Sequence, residues 1–576
     1  MRWIFCLCIL SPFLVRAANL EEEGVRRVHS HLLIEDSSSA LIEAKTLVKQ
    51  FPDSKSAGAV LIEALAADGQ EEKALNAWHQ LSAKYPDLAT ERYLLEELSW
   101  GVLKKGLDST QYGVRLASLI GSFLTNDVRA LPILLKMLRD SNAVVRSVAV
   151  QMAMQYRDAP LKNEIARLMV EEKVWMVRLE VIKAVGALRM KELAPQLKLL
   201  IQSDKTSYEE RVRAIEALCE IYDKISFSEW RIFSQSNRAG MRHLACSIAT
   251  HFQLKEAKEE ILRLIHDSHP DVRIAALNAF GLYYRELTTK QEAEEHLKPV
   301  LEEINPEVAI TAAWAASISG ITVEPVFIKW LNDSLSENRR LAAAALAATG
   351  ARGVALSSQF FKSSKDSYVQ ANLAIGLIGQ RKEISACCDI LSGFLQNEKR
   401  MWMWDTRPNP LFQILAPSQV RHVDHIPNYP EAIDQMTRLN LLSLLVLVED
   451  PRALDAVKAF LKKKTWGITG VAAATLLQEG DETSLEVVRQ LVDDPDPDVR
   501  LQACFVLAML GHDESVIHDL QGAYTTADHE RKLHILEAMG RIGNVESFHF
   551  LISAQKEPFP ILRIAAAAAL IQSIHR

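Results

Sequence analysis

The dipeptide Val-Arg, followed by a run of small and apolar residues, recurs along this chain at a nearly constant interval. Clear copies are GVRLASLIG (113–121), VVRSVAVQMA (144–153), MVRLEVIKAVGAL (176–188), RVRAIEALCEI (211–221), GMRHLACSIA (240–249), DVRIAALNAFG (271–281) and DVRLQACFVLAMLG (498–511). Weaker copies fill most of the gaps, among them EVAITAAWAA (307–316), NRRLAAAALAATG (338–350), YVQANLAIGLIG (368–379) and LRIAAAAALI (562–571). Aligned on the arginine position, the anchors fall at 115, 146, 178, 213, 242, 273, 309, 340, 370, 438, 470, 500, 532 and 563. Steps run from 29 to 36 residues, with one of 68. A repeat of this length marks a solenoid, in which each unit buries its apolar face only against its neighbours. A second helical pattern, such as ALPILLKMLRD at 130–140 or KEEILRLIHD at 258–267, lies between anchors. Each unit is therefore two helices joined by short turns.

The stretch DPDPDVRLQACFVLAMLGH at 494–512 gives the local logic. Proline bars helix before it, and aspartate caps the free amides of the helix that follows. Val499, Ala503, Val506, Leu507 and Leu510 then fall on one apolar face. Gly511 is placed to end the helix. The predicted fold class is all-α: an α-solenoid, or α-α superhelix, of stacked helix pairs.

The pattern D-x-x-V-R-x-x-A-x-x-A-L-G, with a period near 31, resembles HEAT repeats of the short bacterial type also seen in phycobilin lyases. The resemblance covers roughly 101–576. It implies an Asp–Arg ladder between neighbouring repeats, assigned on this basis to Asp271 with Arg273 and Asp498 with Arg500. Ala309, Gln370 and Gly470 replace the arginine, so the ladder is expected to be interrupted there. Residues 18–100 differ. FPD at 51–53 is echoed by YPD at 85–87, and Ala40, Leu41 and Leu47 match Ala74, Leu75 and Leu81 at the same offset of 34. This segment resembles a tetratricopeptide pair, or else is a generic helical cap over the first apolar face.

The 576 residues exceed what one core holds, and 48% are hydrophobic but only 7% aromatic, which favours helices packed through small side chains. Arg2, the apolar run 3–15 and Val15-Arg16-Ala17 read as a secretory signal peptide over 1–17, too short to span a bilayer. Its removal takes two of the 66 basic residues and leaves 64 against 73 acids, a net charge of −9. With no basic block, nucleic acid is not an expected partner, and no later segment reads as a membrane span. The five remaining cysteines, Cys219, Cys246, Cys387, Cys388 and Cys504, sit in apolar helical surroundings and read as buried free thiols. The chain ends on IAAAAALIQSIHR without a polar capping repeat, so an exposed Ala-rich face open to self-association is expected there.

The long step locates an insertion of about 31 residues, EKRMWMWDTRPNPLFQILAPSQVRHVDHIPNY, taken as 398–429 between repeats over 101–397 and 430–576. Its prolines forbid a long helix. Its aromatics need burial, so it either packs on its own solenoid or meets a partner. Trp402, Trp404, Phe412 and Tyr429 are the protein-binding candidates, because aromatic anchors carry much of an interface. His422, Asp424 and His425 form no recognised metal spacing and read as loop polarity.

Nucleophile elbow, metalloprotease, phosphate-loop and dinucleotide motifs are all missing from the sequence. Deoxyhypusine hydroxylase, a HEAT-like enzyme, needs several His-Glu pairs; only His529-Glu530 occurs here. The acids Asp493, Asp494, Asp496 and Asp498 lack the glycine turn and closing glutamate of a calcium loop, and read as helix caps. The expectation is an exported, non-enzymatic scaffold or adaptor, periplasmic or secreted, with no catalytic residues, cofactor or metal. It would bind other proteins through a curved helical-repeat surface. The alternative is a small-ligand or chromophore-binding protein like the phycobilin lyases.

Overall fold

The computed structural model describes residues 20–203, 205–396, 402–418, 429–453, 455–456, 488–511 and 513–576. The chain is an all-α solenoid of stacked helix pairs, joined by short turns and 3-10 segments. Among the described residues the only sheet has two strands. The chain divides into two compact units, residues up to Ala217 with Ala503–Arg576, and Leu218–Gln502.

One local device recurs at six of the anchors. In the helix Pro497–Gly511, the Asp494 and Asp496 carboxylates accept from the amides of Asp496 and Asp498, each at 2.9 Å. Arg500 Nη1 donates to the carbonyls of Asp494 and Pro495 at 2.8 and 3.1 Å. The arginine thus ties its own helix to the turn before it. Arg115, Arg146, Arg273, Arg339 and Arg563 make the same pair of bonds five and six residues back. This geometry moves two anchors. Arg339, not Arg340, holds the position, and Arg211 reaches the carbonyl five residues before it while Arg213 pairs with Glu216 on its own helix.

The remaining edge of the guanidinium faces the next repeat. Arg115 Nε and Nη2 meet Asp140 at 2.6 and 2.8 Å. Arg146 meets Glu172, and Arg242 meets Asp267, in the same two-pronged way. Arg178 pairs with Glu210, Arg273 with Glu303, and Arg339 with Asp366. Lys532 takes the role once, against Glu557. The Arg115 guanidinium holds the Asp140 carboxyl below the usual carboxylate range. A ladder therefore exists, and at Arg273 its acid is not the assigned Asp271. Asp271 stands exposed in the first turn of its helix while Arg273 reaches Glu303. Asp498 sits in the equivalent first turn of its helix, and Arg500 Nη1 donates to the carbonyls before it. The reason is geometric: the acid two residues before the arginine lies in the first turn of its own helix, whose amide there is capped by His269 or Asp496, whereas the acid in the turn before the next repeat lies beside the guanidinium.

In the first unit, helices Ser37–Gln50, Lys55–Ala67, Glu71–Lys84 and Arg92–Gly106 precede the first anchor. Phe51 and Tyr85 each terminate a helix ahead of Pro-Asp, and Tyr85 Oη donates to the Asp53 carbonyl at 2.5 Å. The close crossing of Gly101 on Ala66, where a Cβ would meet the Ala66 backbone carbonyl at 3.0 Å, shows why small residues line these helices.

The C-terminal face is not open. Helix Pro560–Ile574 packs on both Arg92–Gly106 and Tyr112–Leu124. Ala566, Ala567, Ala568, Ala569 and Leu570 are buried. Gln572 donates to the Leu124 carbonyl at 2.8 Å, Arg92 to the Ile574 carbonyl at 3.2 Å, and buried Gln555 to Ser99 Oγ at 2.9 Å. The Ala-rich face expected to be free is covered by the chain's own early helices. Among the described residues Cys219, Cys246, Cys387, Cys388 and Cys504 form no disulfide, and all but Cys219 are buried.

Candidate functional site

The insertion carries a β-hairpin. Strands β1 (Trp402–Asp405) and β2 (Ile414–Pro417) pair antiparallel, with Trp404 opposite Leu415. Residues 397–401 and 419–428, which include His422, Asp424 and His425, lie outside the described residues. Tyr429 opens the helix Tyr429–Leu447 rather than closing a loop, and its side chain lies outside the described ones.

Trp402 is fully buried. Its ring stands edge-on to Phe394 at 5.4 Å, and the Arg438 guanidinium lies 4.9 Å from its centroid. Arg438, itself only 2% exposed, donates to the Leu395 carbonyl at 2.7 Å. The cation therefore sits at the C-terminal end of helix Ile384–Gln396, where carbonyls are unpaired and the helix dipole favours positive charge, and it stacks on indole as well.

The hairpin loop is held by an amide pair, buried Asn409 with half-buried Asn278. Asn409 Nδ2 donates to Asn278 Oδ1 and Thr311 Oγ1, each at 3.0 Å, and Asn278 Nδ2 returns a bond to Asn409 Oδ1 at 2.9 Å. Asn409 Oδ1 also accepts from the Leu411 amide at 2.9 Å, which closes the turn. Phe412 is buried edge-on against Trp314 at 5.6 Å. Strand β2 is docked by Asn372, which behaves as a strand in miniature. Its Oδ1 accepts from the Leu415 amide at 2.8 Å, and its Nδ2 donates to the Leu415 carbonyl at 3.0 Å. The seat is thus built from helices Pro270–Leu282, Pro306–Ile318 and Ser367–Gly379, all of which begin at anchors, with β2 also against Ser336–Ala347.

Of the four candidate anchors, Trp402 and Phe412 are held by the chain itself. Trp404 is half-buried, and its Nε1 has no hydrogen-bond partner among the described residues. Beside it Asp405 pairs with exposed Arg407 at 2.7 Å, which holds the Asp405 carboxyl below its ordinary range. Asn278, Thr311, Asn372 and Arg438 were missed as partners of the insertion. For Asn278, Thr311 and Asn372 the signal is present: polar side chains that favour helix poorly stand inside Ala- and Leu-rich helices, which implies a specific buried partner.

Comparison with known proteins finds HEAT repeats at residues 131–219 and 486–571. No curated protein matches the sequence. Among solved structures, yeast importin-β (Kap95p) is 13% identical, covering 96% of this chain and 88% of that one, with a TM-score of 0.37. Kap121p is 12% identical, covering 96% and 76%, with a TM-score of 0.35. A chain of a homology model of the full-length AP-3 complex in an intermediate open conformation is 12% identical, covering 80% of this chain and 94% of that one, with a TM-score of 0.34.

Proposed function

We propose that this chain, a HEAT-repeat protein, is a non-enzymatic scaffold that binds another protein through its helical-repeat surface and the hairpin seated on it. The supporting observation is the hairpin itself. The repeats do not need it to stack, yet it is fixed by buried amides and a buried tryptophan–arginine stack. Such an anchor holds Trp404 and Arg407 in place at the edge of the hairpin, with little ordering cost left for binding. The reading includes export: the first 17 residues carry the pattern of a cleaved leader, and no helix among the described residues is long and apolar enough to cross a membrane.

The test is capture from native extract by mature chain 18–576, with Trp404→Ala of unchanged helicity and melting beside it. A protein retained by the wild type and lost by Trp404→Ala supports recognition by the hairpin. Equal retention by both moves recognition to the helical faces. Retention of nothing overturns the scaffold reading.

A further inference from the structure

We propose that the seam between the last repeat and helix Tyr112–Leu124 holds a binding site for a carboxylate, with Arg563 as its cation. The inference starts from the ladder. Arg115 and Arg146 spend Nη1 on two carbonyls of the preceding turn and turn the Nε–Nη2 edge to a carboxylate of the next repeat. Arg563 is locked in the same way, with Nη1 donating to the carbonyls of Glu557 and Pro558 at 3.0 and 3.2 Å. Among the described residues no carboxylate pairs with it.

The neighbour across the seam is the repeat of Tyr112–Leu124, which packs on Pro560–Ile574. Asp140, Glu172 and Asp267, which answer Arg115, Arg146 and Arg242, each stand six residues before the next anchor arginine. Before Arg115 that position is Ser109. Ser109 Oγ accepts from the Gln111 amide at 3.2 Å, as Asp140 Oδ1 accepts from Asn142 at 2.8 Å. The serine keeps the turn and supplies no charge. In place of the missing carboxylate is a cavity of about 250 Å³, lined by Arg563, Lys105 and Ser109 with Val102, Val114 and Ile564 as apolar wall. Glu71 and Asp108 also border it, and Asp108 is already paired with Lys136 at 2.6 Å. The volume falls below the roughly 300–1,000 Å³ typical of drug-sized sites. It suits a small acid or one acidic side chain, and bidentate pairing by a guanidinium is the chemistry that selects a carboxylate.

Calorimetric titration and thermal unfolding of the mature chain with succinate test this, alongside a capped Gly-Gly-Asp-Gly-Gly peptide and its Asn counterpart. Wild type should bind and melt higher with ligand. Ser109→Asp supplies the carboxylate internally, so it should melt higher without ligand and bind about tenfold or more weakly. Arg563→Gln should lose binding, while Ser109→Asn, which keeps the turn without charge, should bind like wild type. Binding of succinate alone assigns the site to a free small acid, and binding of the Asp but not the Asn peptide assigns it to a protein side chain. Failure of wild type to bind either, or equal binding by wild type and Ser109→Asp, overturns the site. Should Arg563→Gln fail to fold, the two Ser109 variants still decide it.

Discussion

Glu63 is a carboxyl only 6% exposed inside helix Lys55–Ala67, with His29 Nε2 at 3.1 Å. Burial, then the charges of Glu97 and Glu91, push its pKa up to about 7, against the opposing hydrogen bond from Tyr93. A carboxyl raised on folding favours the folded state while protonated. Its contribution is full below about 4.5 and is lost as pH rises through about 7, a swing of up to roughly 3 kcal/mol. Glu63→Gln should therefore melt above wild type at pH 8 and close to it at pH 4. A melting difference that stays constant across that range would reject the account. The ladder shows how far single residues are legible. Its arginines occupy a fixed place in a visible motif. Their acids lie 25, 26, 32, 25, 30 and 27 residues further on, so Asp140, Glu172 and Asp267 are marked by their distance to the next repeat's arginine and not by their distance to the arginine that each answers. Asp271 is the local choice, but it stands exposed in the first turn of its helix while Arg273 reaches across to Glu303.

At the scale of elements, the hairpin divides its aromatics by strand position and seat. Trp402→Ala removes a fully buried ring from between Phe394 and Arg438 and leaves the buried cation without its stack. Large-to-small changes of this kind cost about 3–5 kcal/mol. Trp404→Ala, at a half-buried position, should cost less than half of that. Urea unfolding of the two variants checks the order, and a Trp404→Ala loss as large as that of Trp402→Ala would contradict it. Helix pairs were legible because apolar periodicity, proline and capping aspartate all act within a dozen residues. The insertion was legible as a break in period and as an aromatic cluster in need of burial. Its strands were not, because two four-residue strands carry too few alternations to stand out. Nor was its seat: Asn409 meets Asn278 across 131 residues and Thr311 across 98, and such a pairing is fixed only once the repeats have stacked.

For the whole chain, the question left by any solenoid is what covers its end faces. The helix Pro560–Ile574 is Ala-rich, and its apolar residues need a neighbour to bury them. Within the first unit, Arg92–Gly106 and Tyr112–Leu124 lie against it, and Gly121 allows the approach: a Cβ there would meet Ala568 Cβ at 3.3 Å. The rim is polar and specific, with His575 Nε2 at 2.8 Å from Glu96, while Arg129 answers both Glu96 and Glu97. Within this unit the last helix and these early helices thus cover one another. Removal of residues 558–576 should uncover buried Leu95, Leu98 and Leu103 together with Leu119, an apolar face contributed by two helices. The shortened chain should bind a hydrophobic dye, melt lower and self-associate in sedimentation, whereas the full mature chain should not self-associate through this helix. If the full chain forms dimers that the truncation abolishes, the C-terminal helix is an intermolecular surface and the covering role assigned to Arg92–Gly106 is wrong. If the truncated chain stays monomeric without dye binding, the early helices cover themselves by another route, and the last helix contributes stability without acting as a cap.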